Sequence, residues 1–367
     1  MAFTPRRSLD RSRAAPSVLR RLAVALPLVL MLGYVVFWFT AAATAEKQVI
    51  AWIDARRAHG IGITHGALTT SGFPFRLEIR IADTAAEWPG VAWTGPELTL
   101  SGAPWNWRRL DWTAPGVHRI DWTGSDGKKI SATLTAAHLE GWGEAGPRGL
   151  PRLEAWLTDG SLDTPRGRVT ARGLLVQVLP PLSPDAGARA GNGPGPVVGP
   201  RLPISLDAKG VELPPGLATA LGRGIDRLAL EVSLNGPIEP GPWPDPALRW
   251  RDAGGVLEVR QMGLVHGPLN LTGEGTLAID GRGQPEGAFT ARVSGFAETV
   301  EALRRQGIMD NVAADAAQVV LGLLARGPVD GPRTLDVPLT LQDRWLSLGA
   351  VALFRLRPVD WFTPPGS

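Results

Sequence analysis

The 367-residue sequence contains no cysteine. This absence excludes disulfide bonds, thiolate metal sites and thiol nucleophiles. A bacterial periplasm permits disulfides, but a domain large enough to bury its own core does not need them. The lack of cysteine is therefore compatible with an exported bacterial protein.

The chain also has little excess charge outside its N-terminus. Residues 1–21 hold six arginines and one aspartate, which leaves 32 basic and 34 acidic residues for the rest of the chain. A nucleic-acid-binding protein needs a concentrated positive surface. The nearly neutral remainder therefore predicts no nucleic-acid partner, and we interpret the basic tail as a topology signal.

The usual sequence signals of catalysis are missing as well. The five histidines have no metal-binding spacing, and we find no nucleophile elbow, phosphate-binding loop or convincing dinucleotide fingerprint. Gly281 and Gly283 follow Asp280 where a hairpin turn is expected. Acidic residues are scattered singly, and nothing nominates a catalytic pair. We therefore predict a protein that is not an enzyme and that binds neither a metal nor a cofactor.

What the sequence has instead is an uninterrupted apolar run from Leu22 to Ala43. Its 22 uncharged residues, at about 1.5 Å per residue, are long enough to cross the roughly 30 Å hydrocarbon core of a bilayer. The arginines before it predict a single-pass anchor in a bacterial inner membrane, with a cytoplasmic N-terminus and a periplasmic body. A cleaved signal peptide is the alternative, because Ala41–Ala45 offers small-residue cleavage sites.

The residues after the run change from a helical to a strand pattern. Glu46–His59 carries an apolar helical stripe that includes Val49, Trp52 and Ile53 and is expected to pack on the first strands. Arg76–Ile81 then alternates apolar and charged residues, as in a half-buried antiparallel strand. Glycine and proline, 45 and 33 residues respectively, separate many further short runs of this kind.

Two helices are predicted near the C-terminus, at Phe296–Gln306 and at Val312–Arg326, the second with Asp310 or Asn311 as its N-cap. More than ten predicted strands, joined by short turns, indicate a mainly β protein of the α+β class. We expect a transmembrane helix followed by a large curved antiparallel meander with a few helices near the C-terminus, and not a doubly wound α/β fold.

Composition divides the chain into five parts. The segment from Pro180 to Pro200 has no periodicity and few large apolar residues, as in a flexible linker. The predicted parts are a cytoplasmic basic tail (1–21), a membrane anchor (22–43), an N-terminal β-rich half (44–180), a Pro/Gly-rich linker (181–200) and a C-terminal β-rich half with two helices (201–367).

Four aromatic residues are the candidate ligand-binding positions. Phe73 and Phe75 flank Pro74 in a stretch that forms either an aromatic entrance close to the membrane or a turn whose rings cap the sheet. Trp105 and Trp107 share a face by period two, so they either line an apolar groove or fill the core.

The stretch Ser71-Gly72-Phe73-Pro74-Phe75-Arg76 resembles the uncharacterised bacterial family called domain of unknown function 2125. The resemblance extends over nearly the whole chain, including Ala51-Trp52-Ile53, Pro104-Trp105-Asn106 and Val337–Leu341. The family implies no activity and transfers no catalytic residue. In architecture alone, the chain is similar to AsmA-type envelope proteins, which build elongated sheets with an apolar groove and are implicated in moving or organising lipids.

These features predict a membrane-anchored periplasmic protein that binds a lipid or another hydrophobic ligand in an apolar sheet groove, in envelope biogenesis or maintenance. A long meander has two faces, and two modest helices cover only part of one face. The alternative is a non-catalytic envelope scaffold that uses the same surface to hold a partner protein.

Overall fold

A computed structural model describes residues 17–58, 60–88, 90–123, 129–144, 152–179, 201–217, 219–237, 245–326, 333–348, 351–356 and 358. Within these residues, nineteen strands form one antiparallel sheet and a long helix precedes them. The expected mainly β fold, with an open curved sheet after an N-terminal apolar helix, is confirmed.

The first helix, α1 (Ser17–Ala58), joins the apolar run and the segment after it into one element of 42 residues. Within the described residues, it is the one helix long and apolar enough to cross a membrane. It contains Pro27, which membrane helices tolerate. The helix therefore fits a single-pass membrane anchor.

The second half of α1 packs against the first strands of the sheet. One buried cluster joins the two elements and consists of Trp38, Ala42, Ala45, Leu77, Ile79 and Ile81. Val49 packs against this cluster, and Ile53 is 4% exposed. Trp52 does not pack on the strands as we expected, because it is 55% exposed. The Cζ atom of Arg56 lies over the Trp52 ring, 5.3 Å from the ring centroid.

The first eight strands are short. They are β1 (Gly62–Thr64), β2 (Leu68–Ser71), β3 (Leu77–Ile81), β4 (Ala85–Trp88), β5 (Val91–Thr94), β6 (Leu98–Ala103), β7 (Asn106–Thr113) and β8 (Gly116–Thr123). β3 forms where Arg76–Ile81 alternates apolar and charged residues.

The remaining strands are mostly longer. They are β9 (Lys129–Glu144), β10 (Arg152–Thr164), β11 (Gly167–Val178), β12 (Arg201–Glu212), β13 (Gly224–Asn235), β14 (Val256–His266), β15 (Leu269–Ile279), β16 (Pro285–Ser294), β17 (Thr334–Gln342), β18 (Trp345–Leu348) and β19 (Val351–Arg355).

The sheet forks at β9. The first half of this strand pairs with β8, which continues through β5 and β4 to β1. The second half pairs with β7, which continues through β6 and β3 to β2. Both branches use the same edge of β9, while β10 pairs along the other edge.

Beyond β9 the sheet is a plain antiparallel meander, in which each strand from β10 to β18 pairs with the next. The predicted linker, 181–200, lies outside the described residues. The strands on either side of it are neighbours, with Val178 paired to Ile204. The two β-rich halves are therefore hydrogen-bonded into one sheet.

Three further helices are described: α2 (Asp245–Asp252), α3 (Phe296–Arg305) and α4 (Asn311–Leu324). α3 and α4 form where the sequence predicts helices. The side chain of Asp310 accepts a hydrogen bond from the Ala313 amide at 2.7 Å, as an N-cap of α4 should. Gly307, with φ 70°, follows α3 in the left-handed conformation that commonly ends a helix.

Candidate functional site

A continuous apolar row runs along the sheet, beginning beneath α1. Directly paired residues of neighbouring strands project on the same side of a sheet. The row follows the strand register from β3 through β6, β7 and β9 to β17. It consists of Ile79, Leu100, Trp112, Gly141, Ala155, Val176, Leu206, Leu230, Met262, Gly273, Ala291 and Val337.

Two parallel rows flank this central row on the same side, two residues along each strand except in β14, where a β-bulge separates Met262 from Val259 by three. The first is Leu139, Leu157, Leu174, Ala208, Leu228, Leu264, Leu271, Val293 and Leu335. The second is Leu153, Val178, Ile204, Val232, Val259, Gly275, Phe289 and Leu339. We call the three rows together the apolar face.

The opposite side of the sheet is largely polar from β12 to β15. In β15, Leu271 is half-buried on the apolar face, whereas Thr272 and Glu274 are exposed on the other side. On that polar side, the Arg227 guanidinium lies 2.6 Å from a carboxylate oxygen of Asp207 on the neighbouring strand. The sheet is therefore amphipathic across these strands, whereas the opposite side of β9 carries the buried Ala136 and Trp142.

Burial differs along the apolar face. Ile79 is 4% exposed beneath α1, and Ala291 is fully buried near the other end, where α3 contacts β15. Between these ends burial is uneven: Leu206 and Leu230 are half-buried and Leu228 is 41% exposed, while four members of the flanking rows are buried, namely Leu157, Ala208, Val232 and Val259. We call this middle part, from β10 to β15, the trough. Its five strand spacings, at about 4.8 Å each, give it a width of roughly 24 Å.

Large side chains on the apolar face lie across glycines of the neighbouring strand. A Cβ added at Gly141 would lie 2.6 Å from the Trp112 ring, and one added at Gly273 would lie 2.7 Å from the Met262 methyl carbon. Phe289 approaches Gly275 in the same way, at 2.5 Å. Glycine within a strand often marks such close approach. These side chains therefore lie along the face instead of projecting from it.

A shallow depression of about 340 Å³ is lined by Arg172, Gly173, Lys209, Asp226 and Arg227. Arg172 and Asp226 each lie two residues before a member of the flanking row, on β11 and β13. Lys209 pairs with Gly173 and with Arg227, so these three residues belong to the polar side of the sheet. The depression therefore lies where the strands carry charge on both sides, and most of its cations are not on the apolar face.

The predicted residues Phe73 and Phe75 lie in the turn before β3, which docks on α1. The Tyr34 hydroxyl donates a hydrogen bond to the Pro74 carbonyl, and Trp38 Nε1 donates one to the Arg76 carbonyl at 3.2 Å. The ring of Phe73 lies 5.4 Å from that of Trp38, in an edge-to-face arrangement. The turn is therefore attached to the apolar helix by two hydrogen bonds and by aromatic contacts.

Trp105 lies at the same end of the sheet as this turn. It occupies the two-residue turn between β6 and β7, and β6 pairs with β3 so that Gly102 opposes Leu77. Because Trp105 is in a turn, the period-two argument that joined it to Trp107 does not apply. Trp107 lies in β7, and its side chain is outside the described residues.

Three of the four predicted residues therefore gather at one place, which we call the aromatic tip: Phe73, Phe75 and Trp105. Their side chains are 49%, 74% and 61% exposed, respectively. The tip borders α1 and lies apart from the trough, which sequence reasoning did not locate. The sequence signal that points to the trough is the alternation of apolar and polar residues within single strands such as β15.

The histidines play local roles where they are described. His118 is buried, and its Nε2 lies 2.8 Å from the Ala114 carbonyl oxygen. His266 Nε2 lies 3.3 Å from both the Thr219 hydroxyl and the Gly222 carbonyl. Within the described residues, no group of three histidine or acidic side chains is placed to hold a metal ion.

Comparison with known proteins gives one match. A family model described as "Uncharacterized protein conserved in bacteria (DUF2125)" matches residues 38–357. The match begins within α1 and includes both the aromatic tip and the trough. No curated protein and no solved structure matches the chain.

Proposed function

The chain belongs to the DUF2125 family of uncharacterized bacterial proteins, and we propose that it holds the acyl chains of a lipid in the trough of a membrane-anchored periplasmic sheet. The N-terminal arginines support this orientation, because the positive-inside rule favours a cytoplasmic location for residues 1–21 and a periplasmic one for the sheet. The role is one of binding in envelope biogenesis or maintenance, without catalysis.

The observation that carries this proposal is the continuity of the central apolar row. The row begins at Ile79, which packs beneath α1, and reaches the half-buried Leu206 and Leu230 without a polar residue between them. The surroundings of a membrane helix are acyl chains. A lipid chain is thus the occupant that can pass from the side of α1 onto the trough without crossing a polar surface.

The size of the trough supports the same occupant. A width of roughly 24 Å and three rows about 7 Å apart give the trough a footprint of roughly 300 Å². The largest apolar patch on a typical monomer is of this size and is often functional. Covering such an area contributes about 25 cal/mol for each Å² removed from water.

The second candidate function is an envelope scaffold that binds a partner protein. Exposed apolar side chains on α4 favour it, because Val312 and Leu323 are 80% and 82% exposed. Exposed patches of this kind also mark protein interfaces.

Lipid retention by the full chain tests the proposal. The chain is purified in mild detergent, and bound lipid is quantified by mass spectrometry. Leu228→Glu places a charge in the trough at a position exposed enough to tolerate it, and we expect at least tenfold less bound lipid. Thr272→Glu adds the same charge on the polar side and should retain lipid at the wild-type level.

Two results contradict the proposal. One is equal lipid retention by Leu228→Glu and Thr272→Glu when both variants have the wild-type circular dichroism spectrum. The other is a wild-type chain that carries no lipid and co-purifies with a stoichiometric protein partner, which would support the scaffold.

A further inference from the structure

The rise along α1 gives the depth of each of its residues in a membrane. Leu22 follows Arg20 and Arg21 and marks the inner boundary of the hydrocarbon. At about 1.5 Å per residue, Tyr34 lies about 18 Å above Leu22 and Trp38 about 24 Å above it. The hydrocarbon core is roughly 30 Å thick. Tyr34 and Trp38 therefore lie roughly 6–12 Å below its outer boundary, and helix tilt increases that depth.

The turn Gly72–Arg76 is held at this same level. Tyr34 donates its hydroxyl hydrogen to the Pro74 carbonyl, and Trp38 Nε1 donates to the Arg76 carbonyl at 3.2 Å. These two bonds span the turn. When α1 crosses the membrane, the turn must therefore lie beside it below the outer surface of the bilayer.

The side chains of the aromatic tip suit a hydrocarbon environment. Phe75 is 74% exposed, and Trp105, on the neighbouring hairpin, is 61% exposed. Exposure of large aromatic side chains to water is unfavourable, and their transfer into lipid is favourable. The same exposure that is unfavourable for a soluble loop is favourable for a loop in a leaflet.

Several polar groups of the turn are hydrogen-bonded within the protein. Pro74 has no amide hydrogen, and the Arg76 amide donates to the Gly72 carbonyl at 3.0 Å. The Arg76 guanidinium donates to the Ser101 hydroxyl at 2.6 Å and lies 3.4 Å from a carboxylate oxygen of Glu78. The charge at the end of the turn is therefore paired within the protein.

We propose that the aromatic tip is inserted into the outer leaflet of the membrane that α1 crosses. The tip forms a second membrane contact, which does not span the bilayer and fixes the sheet against the lipid. This inference goes beyond lipid binding in the trough and rests on the crossing of the membrane by α1, with the sheet on its outer side as in the proposed function. It places the start of the apolar face, at Ile79, close to the outer boundary of the hydrocarbon.

Single cysteines test the insertion directly, because the chain has none of its own. The Phe75→Cys variant of the full chain is labelled at its cysteine with an environment-sensitive fluorophore. It is reconstituted in nanodiscs of phosphatidylcholine and phosphatidylglycerol whose acyl chains carry doxyl groups, which quench a nearby fluorophore. Val29→Cys, 66% exposed in the middle of the apolar run, is the control for a position in lipid. Val312→Cys, 80% exposed on the distant α4, is the control for a position in water.

We expect doxyl lipids to quench the Phe75 label at least half as strongly as the Val29 label and to leave the Val312 label unchanged. Aqueous iodide should quench only the Val312 label. Bilayers with shorter acyl chains should increase iodide access at Phe75 and not at Val29.

A Phe75 label that behaves like the Val312 label, while the Val29 label is quenched by lipid, overturns the insertion and leaves the anchor intact. A Val29 label that lipid does not quench overturns the insertion together with its premise. Neither result depends on lipid retention in the trough, so a failure of the proposed function is recognised separately.

Discussion

The same apolar face has two environments, one beneath α1 and one in the trough. Beneath α1, Leu77 and Ile79 are 2% and 4% exposed, whereas exposure in the trough ranges from 6% at Val259 to 41% at Leu228. The residue types are alike and the strand register joins the two regions. The difference in burial arises because a helix covers one region and leaves the other open. Apolar composition alone therefore does not decide whether a sheet face becomes core or binding surface.

The largest expected effect comes from placing the same charge in the two regions. Ile79→Asp buries an unpaired carboxylate beneath α1 and should reduce the free energy of unfolding by about 4 kcal/mol or more. Leu228→Asp should cost less than about 1 kcal/mol, because water reaches the trough. Denaturant unfolding of the full chain in detergent micelles measures both. Equal losses of unfolding free energy in the two variants would show that the trough is as much a part of the core as the region beneath α1.

A smaller effect is expected at the boundary between the regions, in β9. A Cβ at Gly141 would lie 2.3 Å from the Glu154 carbonyl oxygen and 2.6 Å from the Trp112 ring, whereas one at Gly143 meets no atom closer than 3.8 Å. Gly141→Ala should therefore destabilise the protein by about 1–3 kcal/mol through overpacking.

Gly143→Ala is the matched control in the same strand, and we expect a change within about 0.5 kcal/mol. Thermal unfolding of the two variants compares them. If Gly141→Ala were as stable as Gly143→Ala, the Trp112 ring would not lie across β9, and the central row would be interrupted there.

The smallest expected effect concerns the attachment of α1. Trp38→Phe keeps an aromatic ring in the buried cluster and removes the Nε1 hydrogen bond to the Arg76 carbonyl. A typical hydrogen bond contributes about 1 kcal/mol, and a loss of this size is expected in denaturant unfolding. Trp88→Phe, at a position that is 44% exposed, is the control and should change stability by less than about 0.5 kcal/mol. Identical stabilities would argue against a hydrogen bond that holds the turn to α1.

Local patterns in the sequence predicted several elements correctly. Alternation at Arg76–Ile81 predicted β3, and Asp310 before an apolar run indicated the start of α4. Both signals act within one strand or one helical turn, so they can be recognised without knowledge of the rest of the fold.

Strand pairing was less accessible from the sequence. Leu110–Thr113 and Ile120–Thr123 repeat after ten residues, which suggests neighbouring strands of a meander. In the structure they pair with different halves of β9. The pattern shows that both segments are strands, but their partners depend on hydrogen bonds with residues far along the chain. For the same reason, the sequence did not show that Trp105 and Phe75 lie at one end of the sheet.

The sequence by itself determined the apolar helix and the mainly β class, because the length of an apolar run and the period of a strand are local properties. The tertiary structure alone decided that rows from twelve strands align into one face and that α1 covers only its beginning. Register sets which side chains stand next to each other, and packing of the helix sets which of them remain open to lipid or water.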